Sequence, residues 1–357
     1  MALSRIRSVA AVAVAVLALG AGLTACSQND DTKNSAADTG DNAGNTAGNG
    51  AGFPVTIDHL FGSTTIKAKP ERVVTLGGGD LEASISLGVI PVAGADWFGD
   101  PQVRGWVKSA LGDRPAPKLI QASEPKYEEI AALKPDLIVY INTINDKLQF
   151  DTLNAIAPTI AAPAGTKNVY GVPWQDQVRE IAKATGTATA GDQVVKDTET
   201  LVSDTAKANP DFAGKVITAG VYSADSLNAW LPSDPRMRLL TSLGFKSNPQ
   251  IDAMENGDFY VKISPELTPK LDADLIFMAA LDGSGKLDPA VVNDKVWNAL
   301  PAVKAGHVAY WGGAPVINTA TPSGEFSSAM SIGGPLGIKY ALPKLVPMLK
   351  NALAGKS

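Results

Sequence analysis

The pattern Glu-x4-Leu-x2-Asp-Leu-Ile occurs twice, at Glu128-Leu133-Asp136-Leu137-Ile138 and, 138 residues later, at Glu266-Leu271-Asp274-Leu275-Ile276. Each copy reads as a short helix feeding a buried strand. Two like joints so far apart imply equivalent positions in two similar lobes, and a body of about 305 residues, from Phe53 to Ser357, is long for one core and suits two. In the first half "ERVVTLGGGD", "GVIPVAGAD", "KPDLIVYIN" and "APTIAAPA" read as short buried strands ending in turns. "DLEASISLG" between the first two reads as a helix with Asp80 as N-cap and Gly88 as its stop. The pattern returns in "KVITAGVYS", "FYVKIS", "ADLIFMAAL" and "GHVAYWGG". Strands alternating with helices imply parallel α/β layers.

Between the halves, Val178, Ile181 and Ala182 fit one helical face. After Gly186 a second helix fits Ala190, Val194, Val195, Leu201 and Val202, and ends near Asn209-Pro210. A helix of about 20 residues spans about 30 Å, enough to join two lobes. The expected organisation is an α/β lobe at 53–173, connecting helices at 174–210 and a second α/β lobe at 211–357.

The start of the chain is of another kind. Met1 to Arg7 carries two arginines and no acid, and Val9 to Leu19 is only Ala, Val and Leu. A charged start, a short apolar run and then small residues make a secretory signal over 1–25. The run is short for a bilayer span. Leu23-Thr24-Ala25-Cys26 resembles the lipobox of bacterial lipoproteins, which implies cleavage before Cys26 and lipid attached to its sulfur. Cys26 is the only cysteine, so no internal disulfide forms. Ser27 to Gly52 is mostly Asn, Asp, Gly, Ala, Ser and Thr and cannot offset its ordering entropy. Residues 26–52 are therefore expected to be a lipidated tether, with a reach on the order of 25–30 Å. The expected location is extracytoplasmic, lipid-anchored to the cell membrane.

Three stretches, "PERVVTLGGGDLEASISLGVIPVAGAD", "YEEIAALKPDLIVY" and "DKVWNALPAVKAGHVAYW", resemble the substrate-binding lipoproteins of ABC importers for iron(III)-siderophores, haem and cobalamin. The resemblance covers nearly all of residues 53–350. It implies a class III periplasmic-binding-protein fold, with two Rossmann-like lobes joined by a single long helix and ligand held in the cleft between them. It also implies a glutamate on each lobe that docks with arginines of the permease. Here these are Glu128, with Glu129 as the neighbouring register, and Glu266. They are the acids of the repeated pattern, although an acid in a first helical turn also suits the helix dipole without any docking role. The expected cargo is a ferric siderophore, with haem the alternative, and the protein is expected to act as a monomer.

Ligands in parallel α/β layers bind outside the carboxyl ends of strands. Residues at or near those ends include Trp97, Phe98, Tyr140, Tyr222, Trp230, Tyr260 and Trp311, with Trp106 in their flanks; such aromatics serve equally as lobe core. Nearby cations are Arg104, Arg236, Arg238 and Lys286, and one of Arg236 and Arg238 is expected to face the cleft and the other solvent. Guanidinium forks and aromatic faces suit an anionic, oxygen-rich ferric chelate. Haem would need an axial ligand such as Tyr140, Tyr222, Tyr260 or a methionine.

No protein metal site and no cofactor are expected, since only His59 and His307 are present, the first in a hairpin and the second at a strand edge away from the cleft. Iron should arrive already chelated. "TLGGGD" could cradle a phosphate, but it lacks the lysine of a P-loop and the spacing of a dinucleotide fingerprint. With no histidine in a cleft loop to act as base, an enzyme is not expected. The formal charge is −5, of which −4 falls on the body, and a mildly acidic body argues against a nucleic-acid partner.

Overall fold

In the computed structural model the described residues are 52–356, apart from 100, 101, 123, 124, 225, 283, 313–316 and 318–320. The signal, Cys26 and the tether up to residue 51 lie outside them.

The described residues open with a hairpin, β1 (Val55–His59) and β2 (Gly62–Ile66), as the sequence suggests. Five parallel strands follow: β3 (Val73–Thr75), β4 (Ala93–Asp96), β5 (Lys118–Gln121), β6 (Leu137–Tyr140) and β7 (Thr159–Ala161), in the order β5-β4-β3-β6-β7. Their near-continuous apolar runs fit a sheet covered on both faces. Val73, Leu137, Val139 and Ile160 point to one face, where α1 (Asp80–Ser86) and α5 (Trp174–Thr185) cover them. Val74, Ile138, Tyr140 and Ala161 point to the other, against α3 (Tyr127–Ala132) and α4 (Lys147–Asn154).

The second sheet contains β8 (Val216–Ser223), β9 (Ser226–Trp230), β10 (Lys246–Ser247), β11 (Tyr260–Lys262), β12 (Leu275–Leu281) and β13 (Val308–Gly312). Its order is β11-β9-β8-β12-β13, with β10 also on β8. Strands β8, β12 and β13 are parallel, but β9 and β11 are not continuations of that layer. The stretch 221–230 folds back as a β8–β9 hairpin in which Ser223 pairs with Ser226, and β11 adds antiparallel to β9. Leu227 and Ala229 are buried while Ser226 and Asn228 are half-buried, the alternation of a strand with one face inward.

The repeated joint is structural at its aspartate. Asp136 accepts hydrogen bonds from the backbone amides of Glu71 and Arg72, each at 2.8 Å, just ahead of β3. Asp274 accepts from Val216 N, the first residue of β8, at 2.8 Å. In both lobes the carboxylate ties the start of one strand to the start of its neighbour.

The connecting helix α6 (Ala188–Lys207) is 20 residues long. It buries Gly191, Val195, Thr198 and Val202, whereas Ala190 and Leu201, expected on its inner face, are exposed. The buried stripe lies one residue round from the expected one because small Gly191 meets α5 at Ala182. Val195 packs into the first sheet's core and Val202 into the second's, so one helix serves both.

A single apolar cluster also crosses between the sheets. Ile85 of α1 and Trp106, Val107 and Leu111 of α2 (Gly105–Leu111) pack with side chains from α7 (Pro235–Ser242), α11 (Pro322–Ile332) and α12 (Pro335–Leu353). The inner helical layers of the two lobes therefore share a core.

Candidate ligand-binding cleft

The carboxyl ends of β8, β12 and β13 open onto a cavity of about 280 Å³. Val221, Trp230, Ala279 and Trp311 line it from the sheet, and Ser327 and Ser331 from α11. Arg236 and Tyr260 complete its wall.

Arg236 is held in place. Its Nε donates to Asp234 Oδ1 at 2.8 Å and its Nη2 to Asp234 Oδ2 at 2.5 Å. Its Nη1 donates to Ser331 Oγ at 3.2 Å, and the guanidinium carbon stands 3.7 Å from the centroid of a Trp230 ring. Asp234 is fully buried and also caps α7 through Arg236 N. Such a buried acid persists only because the arginine pairs with it. Three of the five guanidinium N–H groups are engaged in these bonds, which leaves two for a ligand. Trp311 stacks on Phe277 at 5.0 Å and meets Trp230 at 5.8 Å and Phe326 at 5.6 Å. Its Nε1 is buried and has no hydrogen-bond partner among the described residues.

The first lobe contributes a second, smaller cavity, lined by Trp97, Phe98, Arg104, Trp106, Val107 and Ile332 among others. Ile332 follows Ser331 directly, so adjacent residues of α11 line the two cavities. Arg104 lies over the Phe98 ring at 5.1 Å and donates to Ile317 O at 2.9 Å, across the lobes. A chain of aromatic rings also crosses over. Trp97 meets Tyr170 edge-on at 5.5 Å, Tyr170 meets Phe259 at 5.8 Å, and Phe259 meets Tyr260 at 4.9 Å.

Trp97, Phe98, Arg104, Trp230, Arg236, Tyr260 and Trp311 thus line the paired cavities. Tyr140 and Tyr222 do not. Tyr140 is buried against α3 and α4, with its hydroxyl on Gln149 Oε1 at 3.0 Å. Tyr222 points to the opposite face of the sheet from its neighbour Val221, as alternation along a strand requires, and its hydroxyl donates to Asp294. Arg238 is not in solvent: it is half-buried and donates to Gly171 O in the other lobe. Lys286 is exposed. Tyr170 and Phe259 were missed from sequence. Tyr170 lies in the segment leaving β7, whose carboxyl end is as much a candidate as the others.

The glycine turn after β3 lies where the strand order reverses, but its groups are already used. Asp80 does not cap α1; Gly79, in the left-handed region, takes that place. The Asp80 carboxylate instead accepts from Gly77 N at 2.8 Å, Ile141 N at 3.1 Å and Gln177 Nε2 at 2.6 Å. Gly78 N donates to Asn142 O. With Gly77 and Gly78 amides engaged, the turn offers a poor phosphate cradle. His59 is buried beside Phe150 with Nε2 on Thr64 Oγ1 at 3.0 Å, and neither histidine lines the cavities.

Glu82 borders the smaller cavity and is 2% exposed. Its Oε2 accepts from Gly337 N at 3.2 Å in the first turn of α12, while its Oε1 has no partner among the described residues. Burial raises its pKa to about 8, against the opposing bonds from Gly337 and Leu336 amides. Burial likewise raises Asp80 to about 6, despite its hydrogen bonds.

A family model described as "Periplasmic binding protein" matches residues 73–315, and the chain belongs to that family. It is 32% identical over 269 residues to the probable siderophore-binding lipoprotein YfiY of Bacillus subtilis, covering 71% of this chain and 78% of that one. It is 30% identical to the Fe(3+)-citrate-binding protein YfmC of the same organism, covering 69% and 75%. Among solved structures, Streptococcus pneumoniae PiaA in complex with ferrichrome superposes with a TM-score of 0.71 at 26% identity, over 85% of this chain and 99% of that one. Staphylococcus aureus SirA complexed with staphyloferrin B gives 0.65 at 26% identity, over 83% and 98%.

The buried carboxyls make stability fall with rising pH. An unfolded Glu82 releases its proton near 4.5, whereas the folded one keeps it to about 8, so the folded state holds more protons in between. Asp80 acts in the same direction up to about 6. His59, lowered from 6.5 by burial, acts in the opposite direction at and below that value. The range above pH 6.5 therefore isolates Glu82. Thermal unfolding should show about 2 kcal/mol lost between pH 6.5 and 8. Glu82→Gln, which keeps an acceptor for Gly337 N, should flatten that slope; an unchanged slope would remove Glu82 as its cause.

Proposed function

We propose that this protein captures a ferric siderophore in the cleft and delivers it to the permease of an ABC importer, held outside the cytoplasm by lipid on Cys26. The observation that carries this reading is the Asp234-locked Arg236 over Trp230, facing a cavity with Tyr260 and Trp311. A guanidinium fork with N–H donors to spare and aromatic faces, fixed before the ligand arrives, suit a rigid oxygen-rich chelate. The names of YfiY and YfmC, and the ferrichrome and staphyloferrin B complexes, support the same cargo class. We read the protein as a carrier and not an enzyme, and as acting as a monomer. Of the three tyrosines that could ligate haem, only Tyr260 lines the cavity.

Glu128 and Glu266 are both exposed in the first turn of the short helix that precedes β6 and β12. The alternative, Glu129, is bound to Lys118 at 2.5 Å. Glu128 forms no such pair among the described residues, which favours it over Glu129 as the docking acid.

Titration with ferrichrome, ferric citrate and haemin should show saturable tryptophan quenching by a ferric chelate. Tyr260→Ala should weaken it about tenfold. Tyr260 is only half-buried, so its truncation spares the fold. Arg236→Ala is the poorer test, because it strands the buried Asp234. A strong haemin Soret shift that Tyr260→Ala abolishes, with no response to ferric chelates, would assign the cleft to haem.

The docking role has a separate expectation. Glu128→Ala with Glu266→Ala should abolish iron import while leaving chelate affinity within about twofold, since both residues are exposed. Import at the wild-type rate would remove them from the permease contact.

Cys26→Ala should shift the protein from the membrane fraction to the medium or periplasm. Retention in the membrane would point to an anchor other than the lipid.

A further inference from the structure

Among the described residues, Arg104 and Arg236 are the cations that line the two cavities. The residues outside the description from 52 onwards add no lysine or arginine. What these two arginines offer a ligand therefore sets the charge that the cleft presents. At Arg236 the side chain is 12% exposed and that of its partner Asp234 is 0%. Both Asp234 oxygens take guanidinium hydrogen bonds, at 2.8 and 2.5 Å. A carboxylate and a guanidinium closed on each other in this way carry no net charge. At a distance they act as a dipole, whose field falls off faster than that of a single cation.

The rest of the lining adds no excess of positive charge. Apart from Arg236, the larger cavity is walled by apolar and neutral polar side chains. In the smaller one Arg104 shares the lining with two acids, Asp96 and Glu82. Glu82 keeps its proton to about 8, because burial opposes its charge, so at neutral pH it is uncharged. Lys286 is exposed and lines neither cavity. What the cleft does hold is donors. Arg236 has two N–H groups beyond those engaged by Asp234 and Ser331. Trp97 in one cavity and Trp311 in the other each bury an indole N–H that has no partner among the described residues. A buried donor left unpaired is costly, and a ligand oxygen relieves that cost without needing to be charged.

We infer that Asp234 is a specificity-determining residue: by cancelling the charge of Arg236 it sets the cleft to take ferric chelates of no net charge in preference to polyanionic ones. The inference rests on the siderophore reading and narrows it. Fe(III) held by three hydroxamates, each a monoanion, is neutral. Held by three catecholates, each a dianion, or by citrate, it keeps negative charge. A neutral chelate gives up little hydration on entering a buried site, and its oxygens take up the spare guanidinium and indole N–H groups. Its organic periphery meets Trp230, Tyr260 and Trp311. A polyanion gives up far more hydration. The closed pair does not return it, and the carboxylate of Asp234 opposes it. The anionic chelate that the sequence alone suggests is thereby corrected, because a lone guanidinium and one closed by a buried acid look alike in sequence.

The test measures tryptophan quenching in the full chain by ferrichrome, a neutral trihydroxamate chelate, by ferric citrate and by a ferric tris-catecholate. Ferrichrome should bind at least about tenfold tighter than either anion, and its affinity should change less than about twofold between about 0.05 and 0.5 M salt. Asp234→Asn keeps an acceptor for Arg236 and a cap for α7 but leaves the guanidinium a net cation. It should raise affinity for the tris-catecholate relative to ferrichrome about tenfold, in a salt-dependent way. Asp234→Asn with Arg236→Gln removes both charges; it should weaken every chelate and keep the wild-type order, and it decides the matter where the single variant does not fold. An anion that binds the wild type tighter than ferrichrome, and loses affinity steeply with salt, would overturn the inference and leave the siderophore reading intact. So would a ratio that Asp234→Asn leaves unchanged, or an anion affinity that falls further than that of ferrichrome in the double variant. Absence of quenching by every ferric chelate would remove the siderophore reading, and the inference with it.

Discussion

A carboxyl from the first lobe holds the amino end of the last helix of the second. Helix α12 begins at Gly334 with no side-chain cap of its own, and Glu82 accepts from the amide of Gly337 in its first turn. The approach is possible only because residue 334 lacks a side chain: a Cβ there would fall 1.8 Å from Glu82 Oε1. A buried carboxyl is costly, and its raised pKa records that cost. It is sustained by the core around it, in which α1 and α2 pack directly on α7, α11 and α12. Swinging the lobes apart would expose that core and leave the amino end of α12 uncapped. Separating the lobes would therefore cost both the shared apolar contacts and the Gly337 hydrogen bond.

One wall of the cleft is built beforehand, at Arg236. Its charge is neutralised by a buried aspartate, its plane is set by two parallel hydrogen bonds, and its face lies on Trp230, so little side-chain freedom remains to be lost on binding.

Much of this arrangement could be read from the sequence because it depends on period and spacing. The repeated joint marked equivalent strands, and its aspartates proved to be the ties at Arg72 and Val216. The 20-residue helix followed from its apolar spacing, although Gly191 rotated the buried stripe by one residue. Failures came where the side chain's direction decides. Tyr222 and Val221 are neighbours in sequence on opposite faces of one strand, and only the sheet's packing determines which face meets the ligand. The β9 strand was hidden because its alternation, Ser-Leu-Asn-Ala-Trp, spans only five residues. Asp80 read as the N-cap of its helix, and nothing local set Glu82 apart. Their burial depends on Ile141 and Gly337, residues about 60 and 255 positions away that no local pattern connects to them.

The two layers of each lobe divide the work. Inner helices make the shared core and the cavities, while outer elements carry Glu128 and Glu266. The outer elements are not loosely attached. Each leads into a strand tied at its start to the first strand of its sheet, and that strand ends at the cleft.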